Sequence, residues 1–117
     1  MMFNLLKKKH TETQKRNVEA VIVELVAKNL SGGGYRFDDV STLENKIDEI
    51  IKKNNLGEFD GNEFGPGVIT LYMYGPDSEK LFSSIKPVLE ESPLCKNARV
   101  IIRQGGPGSK QREEVIA

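Results

Sequence analysis

The sequence is poor in the residues that bind metals or carry out nucleophilic catalysis. Its 117 residues include one cysteine, Cys95, one histidine, His10, and no tryptophan. A structural zinc site needs a set of Cys and His ligands that this chain cannot supply, and a Ser–His or Cys–His pair needs a histidine held beside the nucleophile. His10 lies in a polar stretch near the start. We therefore predict no metal site, no cofactor and no catalytic nucleophile, and we expect Cys95 to be a packing residue.

Long apolar runs and paired cysteines are also missing. A single cysteine cannot form an internal disulfide, which favours a reducing compartment. No apolar run approaches the length of a membrane span. The segment 1–6, which is apolar except for Asn4, precedes the lysines at 7–9, the reverse of a secretory signal. These features predict a cytoplasmic protein without a membrane span.

Charge is balanced overall but unevenly distributed. The chain carries 17 basic and 17 acidic residues. Residues 1–16 form a basic lead with a single acidic residue, Glu12, so the remainder is net acidic. This distribution disfavours a nucleic-acid binder. We expect the lead to be a flexible, solvated segment; contact with nucleic acid or an anionic membrane stays open as its alternative role.

Strand signals recur four times along the chain. Branched and aromatic residues with turn residues at their ends predict strands at 17–27, 57–64, 68–74 and 98–104. The turn Gly65–Gly67 predicts that the second and third strands pair as an antiparallel hairpin. The charged residues 109–117 are interpreted as a tail.

Two amphipathic helices separate these strands. The capping-box pattern Ser41–Thr42–Leu43–Glu44 predicts the start of the first helix. Asp77 is a suitable N-cap for the second helix. Pro87 lies inside that second pattern and predicts a kink or an early end, because proline cannot donate the helical hydrogen bond.

The order β-α-β-β-α-β predicts an α+β fold, the ferredoxin-like sandwich. A four-stranded antiparallel sheet would carry both helices on one face and leave the other, the open face, uncovered. The domain would span residues 17–108, between the lead 1–16 and the tail 109–117.

Alternation along the strands places two tyrosines and two arginines on the open face. If Ile69, Leu71 and Met73 face the helices, then Tyr72 and Tyr74 lie on the open face. The last strand likewise turns Arg99 and Arg103 to that side. Strand one is ambiguous, because both of its faces are apolar. Tyrosine and arginine are enriched at interfaces, so these four residues predict docking of a protein partner or self-association.

The segment 58–63 offers a second candidate site through the carboxylates of Glu58, Asp60 and Glu63. They could bind a hard cation or a small ligand, or act as an acid/base pair. Strict alternation puts Glu63 on the opposite face from Glu58 unless Gly61 makes a bulge. A charged edge strand protected from self-pairing is the alternative interpretation, and the one we favour.

The segments GEFDGNEFGPG, LYMYGPDSEKLFSSIKPVLEESPL and ARVIIRQGGPG resemble small uncharacterised bacterial proteins of ferredoxin-like form. A looser similarity is to the regulator of ribonuclease activity B family, whose members inhibit ribonuclease E. The first of these resemblances covers residues 41–108. The second rests on a glycine-bearing acidic strand, a hairpin and a GPD-like helix start, and it implies a small inhibitory domain that binds an enzyme.

Together these features predict a non-enzymatic protein-binding module that regulates or inhibits a partner, of the enzyme-inhibitor or toxin-neutralising type. The alternative is an enzymatic or small-ligand domain that uses Glu58, Asp60 and Glu63. Stacking of RNA bases on the tyrosines is a third and weaker hypothesis, because the glycine–aromatic signature of RNA-binding sheets is absent.

Overall fold

The computed structural model describes residues 18–26 and 37–117, which fold into a five-stranded sheet and two α-helices. The lead 1–16 predicted from the sequence lies outside the described residues. The elements in chain order are β1 (Glu19–Val26), α1 (Phe37–Lys53), β2 (Glu58–Gly65), β3 (Val68–Gly75), α2 (Ser78–Glu91), a 3-10 turn (Pro93–Cys95), β4 (Arg99–Arg103) and β5 (Gln111–Val115).

The sheet is antiparallel throughout, in the order β2-β3-β1-β4-β5. The prediction of four strands is wrong, because β5 forms within the predicted tail 109–117. It pairs with β4 over its whole length, from Arg99 opposite Val115 to Arg103 opposite Gln111. Ile116 follows it into the core and is only 2% exposed.

The hydrophobic core lies between the helices and one face of the sheet. Buried residues of α1 and α2 form one cluster with the inward residues of the strands. As predicted, Ile69, Leu71 and Met73 of β3 are buried, and so are Val100 and Ile102 of β4. The ambiguity in strand one is resolved in favour of Val21, Val23 and Leu25, each completely buried. No helix among the described residues packs on the opposite, open face.

Helix α1 begins at Phe37, one turn before the predicted start at Ser41. Val40 extends the apolar face of Leu43 and Ile47 into that extra turn and is 2% exposed. Burial of Val40 therefore lengthens the helix, and the Ser41–Glu44 pattern lies inside it.

Helix α2 begins where the sequence predicts. Asp77 is its N-cap and accepts a hydrogen bond from the Lys80 amide at 3.0 Å. Glu19 of β1 adds a second carboxylate at this positive end, accepting from the Ser78 amide at 2.8 Å. The helix does not end at Pro87, and it continues to Glu91.

Cys95 is a free cysteine in the core. It is completely buried, and burial raises the pKa of its thiol to about 11. The prediction that it packs rather than reacts agrees with this position.

No helix within residues 18–26 and 37–117 combines the length and apolar character needed to cross a bilayer.

Candidate functional site

The open face is ordered into rows that run across all five strands. The first, the Tyr74 row, contains Glu58, Tyr74, Ala20, Arg103 and Gln111 in adjacent register. Ala20 is completely buried, whereas Tyr74 and Arg103 on its two sides stay partly exposed. A small residue at the centre of this row therefore separates the aromatic ring from the guanidinium group.

The next, the Tyr72 row, is the apolar centre of the face. It contains Gly61, Tyr72, Ile22, Ile101 and Glu113. Tyr72, Ile22 and Ile101 are all partly exposed. Gly61 contributes no side chain, and a Cβ there would meet no atom within 4 Å, so the space beside Tyr72 is open.

The third, the Arg99 row, is charged. It contains Glu63, Thr70, Glu24, Arg99 and Val115. It joins the apolar centre through the Tyr72 hydroxyl, which donates a hydrogen bond to Glu63 Oε1 at 2.9 Å. This bond raises the pKa of Tyr72 above its usual value.

Arg99 is fully engaged by carboxylates of its own chain. Its Nε and Nη2 donate to Glu113 at 2.8 and 2.7 Å, and its Nη1 donates to Glu24 at 3.1 Å. Glu113 belongs to β5, so the strand missed in the sequence supplies the main partner of a predicted site residue. Arg99 is therefore neutralised within the face.

Tyr74 lies in a negative local field. Burial is the main reason that its pKa is raised, and the charges of Asp60 and Glu58 raise it further. Arg103 acts in the opposite direction. The Nε of Arg103 donates to the Gly105 carbonyl at 2.7 Å, which holds the guanidinium against the loop after β4.

A β-bulge in β2 brings the acidic segment onto the same face. The register shifts between Phe59 and Gly61, so Asp60 is an extra residue without a partner in β3. Glu58 then lies opposite Tyr74 and Glu63 opposite Thr70, which puts both carboxylates on the open face. This is the arrangement that the sequence allowed only if Gly61 made a bulge, and Gly61 adopts a φ of +132°.

The bulge and β3 together form a concavity of about 370 Å³ that opens widely to solvent. We call it the tyrosine concavity, and its lining residues are Asp60, Gly61, Asn62, Glu63, Tyr72 and Tyr74. It unites residues that the sequence assigned to two separate sites. Arg99 and Arg103 do not line it. Gly61 and Asn62 were missed as site residues, although a glycine inside a strand pattern signals a bulge.

Within residues 18–26 and 37–117, no group of three or more His, Cys, Asp or Glu side chains is arranged to hold a metal ion. Asp60 and Glu63 instead lie beside aromatic rings.

Comparison with family models finds no match to this chain, and comparisons with curated proteins and with solved structures find no significant match either.

Proposed function

We propose that this chain is a non-enzymatic module that docks a protein partner on its open face and so regulates or inhibits that partner. The observation that carries the proposal is the Tyr72 row, where Tyr72, Ile22 and Ile101 lie side by side and partly exposed. Charged residues surround this centre. An apolar, aromatic centre inside a polar rim is the usual composition of a protein interface.

The shape of the face favours a protein over a small molecule. Small-molecule sites are enclosed and bury most of the ligand. The tyrosine concavity opens widely to solvent and is lined by carboxylates as well as rings. Such a shallow site suits one protruding side chain of a partner whose other contacts extend across the sheet.

We infer further that the fold is ferredoxin-like with one added edge strand. The order β2-β3-β1-β4 within the sheet, with both helices on one face, supports this assignment. The looser similarity to the regulator of ribonuclease activity B family, at the acidic strand, the hairpin and the helix start at Asp77, favours an enzyme, such as a ribonuclease, as the partner. A cytoplasmic location stays a prediction from the sequence.

A second candidate function is a small-ligand or enzymatic domain. The tyrosine concavity favours it, because Asp60, Glu63 and the Tyr72 hydroxyl meet there. Such a domain would bind a metabolite-sized compound in the absence of any other protein. Calorimetric titration of the chain with small cationic and neutral metabolites distinguishes this function from docking.

Affinity capture from the native host tests the docking function. The double variant Tyr72→Ala/Arg103→Ala should reduce partner capture by roughly tenfold or more, because Tyr72 lies at the centre of the face, where an interface gains most of its affinity, and Arg103 lies in the adjacent row. A matched double variant on α1, Glu49→Ala/Lys53→Ala, changes two exposed residues on the other side and should retain capture. Unfolding midpoints of both variants verify that they fold.

Unchanged capture by Tyr72→Ala/Arg103→Ala would remove the open face as the binding surface. If sedimentation shows a dimer that this variant dissociates, the occupant of the face is a second copy of the chain.

A further inference from the structure

The helix side of the sheet shows how this chain holds an arginine of its own. The Nε and Nη2 of Arg112 both donate to the carboxylate of Glu79 at 2.7 Å. The guanidinium carbon lies 5.7 Å from the centre of the Phe82 ring. A two-pronged carboxylate contact and an aromatic face thus form one cradle for a guanidinium group.

The tyrosine concavity contains the same components without an arginine. Tyr72 and Tyr74 supply the rings, and Asp60 and Glu63 supply the carboxylates. Glu63 Oε1 accepts the Tyr72 hydroxyl, whereas Glu63 Oε2 and the Asp60 carboxylate accept no hydrogen bond from residues 18–26 or 37–117. Both groups therefore have capacity to bind a donor.

No basic side chain of the described part of the chain lines this concavity. Arg99 is committed to Glu24 and Glu113, and the Nε of Arg103 donates to the loop after β4. Among the described residues, carboxylates also outnumber guanidinium groups on the open face. The negative field at Tyr74, to which Asp60 and Glu58 contribute, agrees with this excess. The surface is complementary to a cation.

We propose that the partner inserts an arginine side chain into the tyrosine concavity. This inference rests on the proposed docking function and adds the chemistry of the partner, a segment of protein that carries a positive charge. A guanidinium group is planar, so it stacks on a tyrosine ring while its edge donates to Asp60 and Glu63. A lysine ammonium group is compact and cannot make both contacts equally well.

In this arrangement, only some of the site residues predicted from the sequence contact the partner's arginine. Tyr72 and Tyr74 contact the arginine, whereas Arg99 holds β5 to the sheet through Glu113. The bulge in β2 matters because it brings Asp60 next to the rings.

The test is an NMR titration of the full ¹⁵N-labelled chain with the capped peptide Gly-Ser-Arg-Ser-Gly at low ionic strength. We expect amide shifts concentrated in residues 60–63 and 72–74, with a dissociation constant on the order of 1 mM, since one side chain supplies a small share of an interface. The same peptide with lysine should bind several-fold more weakly. The peptide with citrulline, which keeps the shape of arginine but not its charge, should not saturate the site.

Paired variants separate a local site from long-range charge. Asp60→Asn/Glu63→Gln should weaken binding of the arginine peptide by about tenfold, as expected for the loss of charge-assisted hydrogen bonds. Glu49→Gln/Glu90→Gln removes the same charge from exposed positions on α1 and α2 and should change the affinity by less than about twofold.

The proposal would be overturned if both double variants weakened binding of the arginine peptide equally, or if the citrulline peptide bound as tightly as the arginine peptide. Amide shifts elsewhere on the chain would also overturn it. So would a uridine oligonucleotide that shifts the same amides at lower concentration. If capture needs Tyr72 and Arg103 but the arginine peptide does not bind, this inference alone fails. If the arginine peptide binds but Tyr72→Ala/Arg103→Ala captures the partner as well as the parent chain does, the docking function is overturned. The arginine can then no longer be assigned to a partner.

Discussion

At the scale of single residues, two glycines fix how β2 lies against β3. A Cβ on Gly57 would lie 2.0 Å from the Tyr74 carbonyl oxygen, and one on Gly75 would lie 2.2 Å from the Leu56 carbonyl oxygen. The two backbones therefore touch where a side chain has no room. This contact lies next to the Glu58–Tyr74 pair, where the pairing of β2 with β3 begins.

Gly57→Ala should therefore destabilise the protein strongly. Gly57 also has a φ of +135°, so an alanine there is strained in addition to clashing with backbone. We expect a loss of about 3 kcal/mol in the free energy of unfolding, measured with urea. Gly106→Ala is the control, because a Cβ there meets nothing within 4 Å, and its effect should stay within about 0.5 kcal/mol. Similar stabilities for the two variants would contradict the close approach of the strands.

The Tyr72 hydroxyl provides a test of the site that depends on pH. Its hydrogen bond to Glu63 raises the pKa of Tyr72, followed in size by the effect of burial. The neutral hydroxyl makes this bond, so its stabilisation is complete below the ordinary tyrosine pKa and is lost as pH rises through the raised value. Glu63→Gln should shift the Tyr72 pKa down towards its usual value in a ¹³C NMR titration.

Tyr74 is the internal reference for this titration. Its pKa is raised mainly by burial, and Glu63 is not among the causes. It should keep its value in Glu63→Gln. A Tyr72 pKa that does not change in this variant would show that the hydroxyl and Glu63 are not bonded in solution.

At the scale of elements, strand β5 shows what the sequence does not reveal. Its sequence contains one apolar residue, Val115, which is 65% exposed. The strand is held by backbone hydrogen bonds to β4 and by ion pairs such as Arg112–Glu79, and neither leaves a periodic pattern of apolar residues. The charged composition therefore predicts a tail where the chain makes a strand.

Elements with one buried face were predictable. The alternation of Ile69, Leu71 and Met73 indicates both β3 and its inward face, because burial selects every second residue. The same alternation identifies Tyr72 and Tyr74 as open-face residues. The sequence predicts the start of α1 one turn too late, because the local capping pattern points to Ser41. The extra turn depends on the burial of Val40, which tertiary packing decides.

The candidate site was predictable in its residues but not in their grouping. Asp60 and Glu63 meet Tyr72 only because the bulge at Asp60 shifts the register of β2. Gly61 signals such a bulge without requiring it. The engagement of Arg99 could not be foreseen, because Glu113 was assigned to the tail.

Ile116→Ala tests whether the C-terminal strand is part of the folded unit. Ile116 is 2% exposed, and its amide donates to the Ala98 carbonyl at 2.9 Å. Removing its side chain should cost about 2–4 kcal/mol in the free energy of unfolding, as for other buried isoleucines. The neighbouring Val115→Ala should cost less than about 0.5 kcal/mol, since Val115 is exposed. If both variants have the same free energy of unfolding as the parent protein, residues 109–117 are a tail and not part of the folded unit.

At the scale of the whole molecule, the two faces of the sheet differ in composition. One face carries the helices and the continuous core. The other presents the Tyr72 row with charge around it, and the β-bulge and β5 shape its two edges. Charged edge strands resist pairing with other sheets, so association through the face rather than the edge is the geometry we expect.

Hydroxyl-radical footprinting of the chain with and without its captured partner tests whether the partner binds the open face. Labelling of Tyr72 and Tyr74 should fall at least several-fold in the complex, while labelling of Pro87, exposed on the far side of α2, should stay unchanged. Protection of Pro87 with both tyrosines still labelled would contradict binding at the open face, because the partner would then cover the helices and leave that face to solvent.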